Sequence, residues 1–277
     1  MKHWVVSMSL VIGIFLSSAP SSAESPTAEE EISQGVKAFR DAQFDDAIAH
    51  FKTAIEANPR LLNARLYLAT AYSEKYVPGS DTPKNLQMGN QAIEQYKIIL
   101  GSKDPLPTSA QRTNSIKAVA GLYLQMKKFD EARQYYRQAI ELDPEDPEGY
   151  YSIGVIDWTL AYQPRMELRE KLKMKPVDES LIHNPACWQL KSQNEATVKE
   201  GIDHLAQALK LRPDYDDAMA YMNLMFRERA DIQCGDEKAY NADLKAADSW
   251  VDLNMGTKKA KAAKEAPAAA QGDTGVR

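Results

Sequence analysis

The apolar positions of this chain recur with a helical period, and one such pattern is written twice. From Phe44 to Pro59 the residues Ala47, Phe51 and Ala54 fall at i, i+4 and i+7, and from Phe129 to Pro144 the same places hold Ala132, Tyr136 and Ala139. That spacing sets the three side chains on one face of an amphipathic helix. Pro59 and Pro144 close the two copies and cannot continue a helix, so each marks a turn. A second helical stripe precedes each copy, with Gly35 and Ala38 before the first and Ala120 and Tyr123 before the second. Small residues there let two helices approach closely. A helical hairpin repeated in register predicts a solenoid, in which each unit covers its apolar face by stacking on the next, and the product is a surface rather than a pocket.

The order of a small residue, an aromatic, then Ala, an aromatic, Ala and Pro resembles the tetratricopeptide repeat. The resemblance covers most of residues 28–255. It implies an all-α fold, a right-handed superhelical solenoid of about five helical hairpins, two of them with insertions. The units at 28–61 and 113–146 are nearly regular. The unit at 62–112 keeps Leu68, Ala69, Tyr72, Ala92, Tyr96 and Ile99 around an extra loop that contains Val77 and Asp81. The unit at 147–215 keeps Tyr150, Ile153, Gly154, Gly201, Leu205, Ala208 and Pro213 across a longer insertion, and the unit at 216–255 keeps helical spacing without the signature. The solenoid is expected over residues 24–255.

The two ends of the chain set its context. Met1, Lys2 and His3 precede an apolar stretch from Trp4 to Leu16 and then the small residues Ser21 and Ala23. This reads as a secretory signal peptide over residues 1–23, too short to cross a bilayer. Export follows, to the periplasm, with full secretion as the alternative and no transmembrane segment in the mature chain. Lys2 is the only charged residue in the signal of a chain with formal charge −5, so the mature protein carries −6. Such a balance argues against a dedicated nucleic-acid binder. Residues 256–277 are rich in Ala and Lys and poor in large apolar side chains, which predicts a disordered tail.

Candidate chemistry is sparse. The mature chain has only His50, His183 and His204, read as surface or edge histidines, and no phosphate loop, nucleophile elbow or dinucleotide fingerprint. Neither a metal nor a cofactor is expected, nor an enzyme. Cys187 lies in the long insertion before the second helix of its unit, and Cys234 lies in the turn of the next unit. In the repeat that the chain resembles, such turns are neighbours on one rim. In an oxidising compartment the two cysteines are therefore expected to pair as a disulfide, against the alternative of two free buried thiols.

Tyr151, Val155, Trp158 and Tyr162 stand at i, i+4, i+7 and i+11 on one helix face. In the repeat family this face lines the concave groove, which makes the stripe a candidate partner-binding platform; the alternative is that the insertion at 163–194 folds back over it. The basic run Arg165, Arg169, Lys171, Lys173 and Lys175 reads as a solvated helix face. The expectation is a non-catalytic scaffold or adaptor of the cell envelope that binds a protein or peptide. The alternative is an enzyme or small-molecule binder whose site is built by the insertions at 73–90 and 163–194.

Overall fold

The computed structural model describes residues 27–174 and 180–265; the expected signal peptide lies outside the described residues. Ten helices follow in order: α1 (Ala28–Arg40), α2 (Phe44–Ala57), α3 (Leu62–Lys75), α4 (Pro83–Gly101), α5 (Ser109–Gln125), α6 (Phe129–Leu142), α7 (Pro147–Lys171), α8 (Cys187–Leu211), α9 (Asp216–Ala230) and α10 (Glu237–Glu265). No strand occurs among the described residues. The starts are set by local chemistry. Thr27 and Glu30 form a capping box on α1, as Thr108 and Gln111 do on α5. Thr82 and Asp146 cap α4 and α7, each followed by a proline at the first helical position. The stops fall where the sequence places them, with α2 and α6 ending just before the turns that contain Pro59 and Pro144.

Each odd-numbered helix pairs with the even-numbered one after it, and successive hairpins stack. The odd helices also touch one another, α1 on α3, α3 on α5 and α7 on α9, whereas among the described residues no comparable packing joins the even ones. Contact on the odd side and separation on the even side curve the stack, so the odd helices form its concave wall.

The repeat residues are core. Ala47, Ala54, Ala120 and Ala132 have no exposed surface, and Gly35, Phe51, Tyr123, Tyr136 and Ala139 are buried with them. One apolar cluster runs from Ala38 to Ile156 and a second from Ala161 to Ile232, with Trp250 against it. Between them lies a polar seam. Asp157, fully buried on α7, stands 3.2 Å from the Arg133 guanidinium of α6 and 3.4 Å from Nδ1 of His204 on α8. His50 likewise pairs with a buried acid, Glu31, at 2.7 Å, so these two edge histidines hold carboxylates in place.

Among the described residues the insertions build no separate layer. In the segment 73–90 the Asn85 side chain bonds the Val77 N–H, the Val77 carbonyl and the Ser80 carbonyl at 2.8, 2.9 and 2.7 Å, closing a tight loop before α4. In the segment 163–194 the described residues mostly lengthen α7 and α8, each 25 residues long, so the hairpin extends beyond its neighbours. Leu181 and Ile182, in the loop between these helices, are buried.

Two sequence expectations are corrected. The basic run is not simply solvated. Arg165 and Arg169 turn inward and meet Glu228 and Asp231 near the end of α9, with Arg165 Nε 2.8 Å from Glu228 and both guanidinium groups 3.1 Å from Asp231. The lengthened α7 brings these cations onto Glu228 and Asp231, which are both buried. The tail expected to be disordered from residue 256 instead continues α10 as far as Glu265. Lys261 reaches Asp216 at 2.6 Å, and Thr257 Oγ1 lies 3.5 Å from Met219 Sδ, so the helix has partners on α9 to hold it. Residues 266–277 lie outside the described residues.

Candidate interaction face

Helix α7 delivers the predicted stripe to the concave wall, and α9 completes it. Tyr151 packs its ring 4.8 Å from Tyr215 and 5.8 Å from Tyr221. Trp158 lies 5.4 Å from Tyr221 and 5.0 Å from Tyr162. The result is one ribbon of five rings, ordered Tyr215, Tyr151, Tyr221, Trp158, Tyr162, in which edge-to-face and tilted pairs add to the area they cover. Tyr151, Val155 and Trp158 are half-buried and Tyr162 is exposed. Of the described part of the insertion, Arg165 covers the Tyr162 end of the ribbon, 5.3 Å from that ring's centre. The rest is shielded by Tyr215, the N-cap of α9, and by Tyr221 on that helix.

The ribbon is polar at its edges. Tyr215 donates to Glu148 at 2.8 Å, and Arg212 meets the other carboxylate oxygen of Glu148 at 3.1 Å. Burial pushes the Tyr151, Tyr215 and Tyr221 hydroxyls above the ordinary phenol range, with Glu148 adding to the effect at Tyr215 and Asp217 adding to it at Tyr221. These groups stay neutral donors at any physiological pH. Nε1 of Trp158 is buried and has no acceptor among the described residues, a donor that the fold leaves unmatched. Beyond Tyr162 the ribbon opens onto a hollow of about 480 Å³ lined by Met166, Arg169 and Met174 among others.

The far end is fastened covalently. Cys187, the first residue of α8, is joined to Cys234 in the turn before α10 by a disulfide, as expected from the sequence, and the Gly235 N–H bonds the Ile182 carbonyl at 2.8 Å beside it. Together with the Arg165 and Arg169 ion pairs, this bond ties the long hairpin to α9. The repeat pattern does not single out Tyr215 and Tyr221. Among the described residues no group of three or more His, Cys, Asp or Glu side chains is placed to hold a metal.

Stacked helical hairpins with the first helix of each pair on the concave side define a helical-repeat solenoid. A family model described as TPR repeat matches residues 121–159, so that stretch carries the repeat, and the chain as a whole shares the fold of solved helical-repeat structures. It is similar to a crystal structure of MamA at 14% identity and a TM-score of 0.55, over 87% of this chain and 96% of that one. It is similar as well to the MamA chain from residue 41 to the end from Desulfovibrio magneticus RS-1, at 12% identity and a TM-score of 0.54, over 84% and 96% of the two chains. No curated protein matches the sequence.

Proposed function

We propose that this protein is a non-catalytic protein–protein interaction scaffold of the bacterial cell envelope, and that it holds a protein or peptide segment against Tyr151, Val155, Trp158 and Tyr162 on its concave wall. The observation that carries this reading is the ribbon of five rings left partly open there, with a Trp donor unmatched. Aromatic clusters with polar edges have the composition of binding hot spots. The tetratricopeptide fold supports it, since a stack of hairpins offers an extended concave surface to a partner. Export to an oxidising compartment is supported by the Cys187–Cys234 bond. No helix of the described residues is long and apolar enough to cross a membrane. The rival reading, a small-molecule site built by both insertions, gains no support from their placement. The first is closed by Asn85 and lies against Met126 through Gly89, while the second fastens onto α9.

The test is site-specific photocrosslinking in the native host, with a photoreactive residue at Tyr162 or, as control, at exposed Gln138 on the convex helix α6. A discrete protein adduct at Tyr162 and none at Gln138 is the expected result. Equal labelling at both positions, or none at Tyr162, overturns the assignment.

A further inference from the structure

Building on that reading of the concave wall, we infer that its partner is basic, with an arginine or lysine side chain seated on the rings of Tyr151, Tyr221 and Trp158 beside the Asp217 carboxylate. The chain's own arginines show the chemistry at both ends of the ribbon. The Arg212 guanidinium lies 4.3 Å from the centre of the Tyr215 ring, and that of Arg165 lies 5.3 Å from the centre of Tyr162. A guanidinium over a ring face is attracted by the ring quadrupole, and more strongly where water is excluded. Both arginines are already committed, Arg212 to Glu148 and Arg165 to Glu228 and Asp231. The three central rings carry no cation among the described residues. They are the unoccupied middle of a row whose ends are filled.

Asp217 supplies the counter-charge. It is exposed in the first turn of α9, four residues before Tyr221 and therefore on the same helix face as that ring. Among the described residues no basic side chain bonds it, and the nearby Lys261 ammonium is bonded to Asp216 instead. A ring face and a free carboxylate side by side suit a cation better than either alone. The net charge of −5 over the whole chain adds a long-range field that draws a basic segment and repels an acidic one.

The experiment selects a random dodecapeptide phage library on the immobilised mature protein and then measures the winning peptides as synthetic probes. Wild type, Asp217→Asn and Trp158→Ala are compared, each checked for native melting. Asp217→Asn alters one exposed side chain and is expected to fold as wild type. Expected are peptides enriched in Arg or Lys, with affinity lowered about tenfold by Asp217→Asn and more by Trp158→Ala, and falling as salt is raised. Peptides that lose binding on Trp158→Ala yet carry no basic enrichment and ignore Asp217→Asn overturn the basic partner while leaving the face intact. Peptides indifferent to both changes, or no selected peptides at all, overturn the face as well. Should Trp158→Ala melt early, Tyr162→Ala takes its place, since Tyr162 is exposed.

Discussion

Gly35 of α1 and Phe51 of α2 share one space: a methyl group added to Gly35 would stand 2.5 Å from Phe51 Cε1. Gly154 and Leu205 repeat the relationship in the fourth hairpin, at 2.6 Å from Leu205 Cγ. In both hairpins the missing side chain on the first helix is the room into which the large one on the second fits.

Phe51→Ala is therefore expected to cost about 3 to 5 kcal/mol, the sum of lost transfer energy and an unfilled cavity. Gly154→Val overfills the same kind of site and is expected to cost about 1 to 3 kcal/mol. Urea denaturation of the two variants checks both, and a wild-type midpoint for Phe51→Ala would mean that the hairpin register is wrong.

Removing the disulfide is expected to destabilise the chain, because Cys187 and Cys234 are 47 residues apart in sequence and their bond restrains the unfolded chain. Cys187→Ser with Cys234→Ser is expected to cost about 2 to 4 kcal/mol. Thermal melting with and without reductant measures it, and the double variant, unlike wild type, is indifferent to reductant.

Glu228 gives the fold a pH dependence of defined sign. Burial outweighs the attraction of Arg165 and pushes its carboxyl from 4.5 up to about 7, with Asp231 at the C-cap of the same helix adding repulsion and Arg169 opposing it. Between those two values the folded state binds a proton that the unfolded state has lost, so this group's contribution is full below 4.5 and declines as pH rises through about 7. Asp45 and Asp216, held below 3.8 by Lys75 and Lys261, act only at more acid pH. Melting temperature measured from pH 5 to 7.5 is expected to fall more steeply for wild type than for Glu228→Gln, and parallel profiles would contradict the assignment.

Truncation after Met255 is expected to lower the melting temperature, since it removes the Lys261 bond to Asp216 and the contact of Thr257 with Met219. The loss is expected to be larger at low salt, where a surface ion pair is less screened. A truncated chain that melts with the full-length protein would show that the end of α10 contributes nothing.

Trp158→Ala separates the two roles of the aromatic ribbon. If the ring serves a partner, crosslinking from Tyr162 is lost while the variant keeps its melting temperature. If the ring serves only to join α7 to α9 through Tyr221, the variant melts early and crosslinks normally at temperatures where it is folded.

The repeat was legible because its cause is local. Ala47, Phe51 and Ala54, and Ala132, Tyr136 and Ala139, mark one helix face at fixed spacing, and Pro59 and Pro144 end each helix wherever it is placed. Those features determined the hairpins, their all-α class and their order of stacking. The Cys187–Cys234 pair was also within reach, since neighbouring turns of a stack must lie side by side. Other features depended on which surfaces meet. The run from Arg165 to Lys175 has the composition of a solvated face, and only the length of α7 carries Arg165 and Arg169 to the buried Glu228 and Asp231. Residues 256–265 lack large apolar side chains, and only the position of Asp216 on a neighbouring helix gives Lys261 something to hold. Tyr221 joins the predicted stripe on α7 from the next unit, and Tyr215 from the turn that leads into it. Periodicity states which face of a helix is buried, because it reports on that helix alone; which partner buries it, and which charges find each other, is decided by contacts between residues far apart in the chain.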